Sequence, residues 1–279
     1  MEKAIKKYWP FFLLPTLAAF IIGFVWPFLW GIFLSFHKFT TISKTTFVGL
    51  DNYLKVFQDS TFVSAFWFTA KFTVVSTVLI NVIAFAIALA LTRGLKGTNV
   101  FRTVFFMPNL IGGVVLGYVW SMIFDAILRR YATSLAVNAT WGFWGLVVLV
   151  AWQQIGYMMI IYIAAIQNIP DSVIEASAID GAGGWRRLFS ITIPMVVPAF
   201  TVGLFLMLSN SFKLFDQNLA LTKGGPNHCN EMLALNIYNS AFVSNQTGYA
   251  QAKAVIFLIS VATISIIQLI ATKRAEVET

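Results

Sequence analysis

Long apolar runs separated by short polar stretches dominate this chain. Six runs stand out, at residues 9–36, 65–91, 104–124, 141–166, 197–219 and 252–272. Each is close to the ~20 residues a helix needs to cross a bilayer. Hydrocarbon offers no water to backbone N–H and C=O groups, so the runs are predicted to be helices. Pro15 and Pro27 in the first run and Pro108 in the third predict kinks or broken turns. Three polar segments are sizeable, at about 37–64, 125–140 and 220–251.

Composition strengthens this picture. Of 279 residues, 58% are hydrophobic and only 11% charged, with a mean hydropathy of +0.79. A soluble domain of this size cannot hide that much apolar surface, which predicts an all-α polytopic membrane protein. The 27 Phe and 9 Trp suit lipid-facing and interfacial positions. The net charge of +8 would suggest nucleic acid in a soluble protein. Here the cations flank apolar runs, so topology and anionic headgroups account for them, and no nucleic-acid partner is expected. The single Cys229 allows no internal disulfide and no paired-cysteine metal or redox motif. The first run follows Lys3, Lys6 and Lys7, but it is too long for a leader's apolar core and no A-x-A site follows, so it reads as a span.

Lys and Arg near the run ends set the orientation. With the N-terminus inside, the inner segments carry Lys3, Lys6, Lys7, Arg93, Lys96, Arg102, Arg186, Arg187, Lys273 and Arg274. The outer segments carry Lys38, Lys44, Lys55, Arg129, Arg130 and Lys223 over more residues, with Arg129 and Arg130 against the trend. Six spans then place both termini in the cytoplasm, together with the loop between spans four and five. A single transmembrane domain is expected over 1–279, with a core at about 65–272 and a cytoplasmic loop at 167–197.

That loop is the most informative stretch. Pro170 and Asp171 can start a short helix, with Asp as cap, over 172–179. Such a helix presents Glu175 outward and keeps one side small with Ala176 and Ala178. Asp180-Gly181 breaks it, because Gly accepts positive φ. Residues 185–191 read as a second short amphipathic helix, and Pro194 and Pro198 mark the start of span five. Glu175, Ala176, Gly181, Ile191 and Pro194 fall at the spacing Glu-Ala-Ala, three residues, Gly, nine residues, Ile-x-Leu-Pro. Ser177 replaces the third Ala and Ile193 the Leu. The pattern resembles the cytoplasmic loop of permease subunits of binding-protein-dependent ABC importers.

The resemblance extends from Phe47 to Phe242. Phe47-Val48-Gly49-Leu50-Asp51-Asn52-Tyr53 resembles the family's F-x-G-L-x-N-Y element. Gly97, Phe101-Arg102 and Phe106-Met107-Pro108 resemble its K-G-x-x-x-F-R-T-x-x-F-x-P stretch. Leu221-Thr222-Lys223-Gly224-Gly225-Pro226, then Ile237-Tyr238 and Ala241-Phe242, resemble its L-T-x-G-G-P … Y-I-Y … A-F segment. These are similar to the carbohydrate-uptake branch, which includes the maltose and glycerol-3-phosphate F/A-type permeases. The resemblance implies the type I importer permease fold in a bacterial-type cell membrane. It implies a second related permease as partner, two ATP-binding subunits and an external solute-binding protein. It assigns ATPase coupling to Glu175, Ala176, Ser177, Asp180, Gly181, Ile191 and Pro194.

Polar residues inside spans are costly and so stand as functional candidates. Gln153, Gln154 and Tyr157 lie in span four, Asn210, Ser211, Lys213 and Asp216 in span five, and Asn81 in mid-span two. By resemblance, Gln154, Tyr157 and Ser211 match positions that line the solute path, and Asn210 and Asn81 join them as candidates. Amides, hydroxyls and an aromatic face suit a sugar. Hydrogen bonding between helices is the competing explanation. Lys213 and Asp216 have i, i+3 spacing and can pair with each other. Lys71 can snorkel outward, and Gly112, Gly113 and Gly117 suit close helix packing. His37 and His228 read as surface histidines.

Catalytic chemistry is missing from the sequence. It has no G-x-x-x-x-G-K-[ST] loop, no H-E-x-x-H and no metal-ligand cluster, so no cofactor is expected and ATP hydrolysis is assigned to a partner chain. An importer of a non-sugar solute is an alternative, because the coupling pattern is shared. An ion-coupled transporter would carry mid-span carboxylates, often with inverted repeats, and an integral membrane enzyme would carry a catalytic cluster; neither feature is seen.

Overall fold

A computed structural model of the chain describes residues 2–41 and 44–273. In chain order it has α1 (Glu2–Phe20), a π turn at Ile21–Val25, α2 (Trp26–Ser35), a hairpin of β1 (His37–Thr41) and β2 (Lys44–Phe47), and α3 (Asp51–Gln58). There follow α4 (Ser60–Leu91), α5 (Thr98–Phe106), a 3-10 turn at Met107–Leu110, α6 (Gly113–Leu128) and α7 (Ala139–Gln167). The chain continues through α8 (Asp171–Ile179), α9 (Gly184–Arg187), a π turn at Leu188–Thr192 and α10 (Ile193–Phe212). It ends with α11 (Asp216–Leu221), α12 (Leu233–Tyr238), a π turn at Asn239–Val243 and α13 (Thr247–Lys273). Five helices are long and apolar enough to cross a membrane, and six if the bent pair around 111–112 counts as one span. Arg274, counted above among the inner cations, lies outside the described residues.

The third run is broken, as Pro108 predicts: α5 with its 3-10 turn meets α6 at 100°. Pro108 sits in that 3-10 turn, where its missing N–H removes a helical hydrogen bond. The fifth run ends at Phe212 rather than 219; Lys213 caps α10, and α11 starts anew at Asp216. No Lys213–Asp216 ion pair forms among the described residues. The helical fold also carries one two-stranded antiparallel hairpin, pairing His37 with Phe47 and Lys38 with Thr46.

The chain divides into two compact units. The first, residues 1–60 and 237–259, explains the F-x-G-L-x-N-Y element. Gly49 turns the chain at φ +56°, and α3 follows. The buried Asn52 Nδ2 donates to the Ser35 carbonyl (2.7 Å) and the His37 carbonyl (3.0 Å), taking up acceptors left free where α2 ends. Tyr53 Oη and Ser35 Oγ lie 2.6 Å apart. In the same unit Lys253 Nζ meets Asp59 Oδ2 at 2.8 Å, and the Tyr249 hydroxyl donates to the same oxygen at 2.8 Å. Lys253 is fully buried and also donates to Ser240 Oγ.

The second unit, 61–236 and 260–279, is built on α4, α7 and α10. Phe72, Ile80, Leu146, Leu149, Met158, Tyr162 and Met207 are fully buried there. Lipid is as apolar as these side chains, so close packing and interhelical hydrogen bonds hold the helices together. Phe85 rests on the rings of Tyr162 and Phe200, at 5.7 and 4.8 Å between centroids. Small residues allow close approach: Gly156 of α7 faces the Phe105 carbonyl of α5 with no room for a Cβ. Gly113 and Gly117 of α6 similarly receive Asp216, Gln217 and Ala220 of α11.

Candidate functional site

The loop that follows α7 is built on a short capped helix. Pro170 is the N-cap of α8 and Asp171 stands in its first turn, so Asp171 adds charge at the helix start instead of capping it. At the other end Asp180 N donates to the Ala176 carbonyl, and Ala182 N donates to the Ser177 carbonyl at 2.9 Å. Gly181, at φ +71°, makes that reversal; an added Cβ would meet no atom but would sit on a backbone that L residues rarely adopt.

The candidates in this loop separate by exposure. Glu175, Ala176, Asp180 and Gly181 are exposed. Ser177 is buried, and its Oγ donates back to the Ile174 carbonyl at 2.6 Å, so it turns inward from the exposed side. Ile191 and Pro194 are half-buried. The expected second short helix is not separate: α9, the π turn and α10 run on as one apolar rod, Gly184–Phe212. Sequence reading missed three exposed apolar side chains here: Ile179, Trp185 and Phe189. The Trp185 and Phe189 rings stack at 6.1 Å. Their i, i+4 spacing beside a polar loop was the available signal.

A second set of polar residues lies in the helices of the same unit. Asn81 Nδ2 donates to the Thr77 carbonyl, and its Oδ1 accepts from the Tyr162 hydroxyl. Ser211 is buried with its Oγ 3.3 Å from Ser76 Oγ. These two therefore pair helices in the state seen. Gln154 is half-buried and accepts from Asn109 Nδ2 at 3.2 Å. Tyr157 is half-buried against the core, and Asn210 is exposed. The candidates do not converge on one point; each finds its own partner or opening.

The break in the third run supplies a group the sequence did not single out. Gln153, read only as one polar residue of span four, donates through Nε2 to the Ile111 carbonyl at 3.1 Å. Gln217 of α11 donates in turn to Gln153 Oε1 at 2.7 Å. A non-helical backbone carbonyl at this depth needs such a donor. Broken helices in membrane proteins concentrate at binding and gating sites. Asn109, Gln153, Gln154 and Gln217 thus form amide pairs on either side of the break.

Both histidines read as surface residues find partners. His228 is exposed but not idle: its Nδ1 lies 2.5 Å from Oε2 of Glu231, a carboxylate that is itself buried. His37 Nδ1 lies 2.9 Å from the Phe33 carbonyl.

Comparison with known proteins agrees with this architecture. Residues 80–277 match the family described as binding-protein-dependent transport system inner membrane component. The chain is 45% identical to the probable starch degradation products transport system permease protein AmyD of Thermoanaerobacterium thermosulfurigenes, over 97% of this chain and 95% of that protein. It is 32% identical to the multiple sugar-binding transport system permease protein MsmF of Streptococcus mutans, over 99% of each. Among solved structures, a chain of a bacterial ABC transporter involved in the import of alginate superposes with a TM-score of 0.83 over 98% of both chains. Its identity is 20%, so that likeness speaks for the fold alone. With the family match spanning most of its length and a relative at 45% identity covering nearly all of it, this multi-pass membrane protein belongs to the family of binding-protein-dependent transport system inner membrane components.

Proposed function

We propose that this chain is one membrane-spanning half of an ATP-driven importer of a sugar or oligosaccharide. A second related permease completes the pore, two ATP-binding subunits sit on the cytoplasmic side, and an external binding protein delivers the solute. The chain performs no catalysis of its own. The observation that carries the reading is the exposed turn around Glu175–Gly181, with its carboxylates, small side chains and open glycine. The inner-side excess of Lys and Arg supports a cytoplasmic position for that turn and both termini.

The physical route from this turn to the pore is short. The rod Gly184–Phe212 begins three residues past Gly181, and Ser211 near its far end lies beside Ser76 of α4. A helix transmits displacement along its axis, so an ATPase that draws the turn sideways tilts α10 as a body. That is rigid-body gating between two packed states. Gln154, Tyr157 and Asn210, which keep some exposure, are the candidates for contact with solute once the path opens; Asn81 and Ser211 must first exchange their present partners. Starch products and multiple sugars in the names of the relatives support carbohydrate as the cargo class.

The test is Glu175→Lys, and separately Gly181→Pro, whose ring fixes φ near −65° where +71° is required. Either should abolish uptake and leave ATP hydrolysis unresponsive to the loaded binding protein, with the chain still present in the membrane. Normal uptake by either variant would refute the coupling role.

A further inference from the structure

A cavity of about 290 Å³ opens in the second unit beside the first turns of α7. Lys71, Thr140, Phe143, Trp144, Cys229 and Asn230 line it. Lys71 Nζ lies 4.7 Å from the centre of the Phe143 ring, and no carboxylate pairs with it among the described residues. Asn230 is 1% exposed, and its Nδ2 has no hydrogen-bond partner. That amide lies against α7 at Gly142, where a Cβ would collide with it.

The lining is rich in donors and holds no acidic side chain. Lys71 and Thr140 bring an ammonium and a hydroxyl to this lining, and Asn230 forms part of its wall. The neighbouring Glu231 carboxylate is engaged with His228 and Asn236. A neutral sugar needs acceptors for its hydroxyls as much as donors; an anion needs only donors. The aromatic walls of Phe143 and Trp144 take apolar atoms attached to that anion.

Depth supplies the second observation. The 32 residues of α4 rise about 48 Å, well over the ~30 Å of hydrocarbon. Counting ~20 residues back from Leu91, which precedes Arg93, brings the hydrocarbon edge to Phe72. Lys71 therefore stands at headgroup level. Below it on the same face of α4, Val74, Val78 and Val82 form an exposed apolar stripe. From residue 71 to 82 the helix rises about 16 Å, roughly the reach of an acyl chain.

We propose that this cavity holds the phosphate of an anionic phospholipid, on Lys71 Nζ, with an acyl chain along Val74, Val78 and Val82. The glycerol region lies against Phe143 and Trp144. The lipid braces α4 against α7 at the bilayer edge.

Cys229, the chain's single cysteine and exposed in this cavity, is the probe. The purified transporter is placed in nanodiscs of phosphatidylglycerol or of digalactosyldiacylglycerol, a bilayer without phosphate, and maleimide labelling of the Cys229 peptide is timed by mass spectrometry. Labelling should be about fivefold slower in phosphatidylglycerol, the strength expected of one cation at an anionic headgroup. Lys71→Met should erase the difference and Lys71→Arg should keep it. Equal wild-type rates in the two bilayers overturn the proposal, as does a difference that survives Lys71→Met. Equal protection by inorganic phosphate in maltoside micelles would assign the site to free phosphate and overturn the lipid. Complete protection under every condition would show another protein chain on the cavity, and would overturn it too.

Discussion

The seam between α6 and α11 allows a quantitative test of how the broken third run is held. A Cβ added at Gly117 would stand 2.6 Å from the Ala220 Cβ, with Gln217 O and Cα at 3.3 and 3.4 Å. Two methyl carbons need about 3.6 Å or more, so Gly117→Ala must open the seam by about 1 Å. Overpacking of that kind costs about 1–3 kcal/mol. Ala220→Gly alone costs about 1 kcal/mol through helix propensity. The double variant removes the collision, since the remaining neighbours are at 3.3 Å and beyond. Its total cost should therefore be about 1–2 kcal/mol, against about 3 if the two effects added, a coupling of about 1–2 kcal/mol. At roughly 2–4 °C per kcal/mol, Gly117→Ala should lower the unfolding midpoint of the detergent-solubilised protein by about 5 °C. Ala220→Gly added to it should restore a few of those degrees and raise uptake with them. A neutral Gly117→Ala, or strictly additive midpoints, would refute the steric account of this seam.

Three further outcomes follow from other contacts. Gln153→Leu strips the donor from the Ile111 carbonyl and the acceptor from Gln217. It should cost about 2 kcal/mol, read as a lower midpoint, and should impair uptake while the chain still inserts. Lys253→Met removes the ammonium from the Asp59 carboxylate, which keeps the Tyr249 hydroxyl, and should cost about 3 kcal/mol; adding Asp59→Asn should recover most of it. Midpoints that fall further in that double variant would show that the pair is not the stabilising unit. Ser177→Ala loses only a local bond to Ile174 and should leave uptake near normal, whereas Ala176→Trp on the exposed side should abolish it; uptake assays at matched protein levels separate the two.

Most of the span architecture was legible because bilayer thickness imposes a length on every apolar run. The helices α4, α7 and α13 contain the residues read as spans two, four and six, each starting two to five residues earlier than hydropathy marks. Pro108 announced the break in span three through its missing N–H. Hydropathy could not show where span five stops, because Leu214, Phe215 and Leu219 continue the apolar run past Lys213. Three-dimensional packing decides it: the cleft left by Gly113 and Gly117 draws α11 onto α6. The loop at Glu175 was legible as a helix and a turn, since Pro170 and Gly181 act locally. The inward turn of Ser177 was not, because burial depends on neighbours outside the helix. The β1–β2 hairpin was also missed; its strands are short, and a polar connection between spans gave no alternation long enough to notice.

The π turn at Leu188–Thr192 bears on how this chain tolerates changes in length. A π turn carries one residue more than the α-helical turn it replaces. Everything after it is offset accordingly, and each residue of an α-helix advances the face by about 100°. The five residues at 188–192 therefore act as the indexing step that brings Gly203, Met207 and Ser211, all buried, onto one side of α10. Substitutions there change a surface, but a one-residue deletion would turn that whole side away from α7. A deletion scan across 186–194, scored by uptake, would show this as a sharp intolerance to length beside a broad tolerance of side-chain identity.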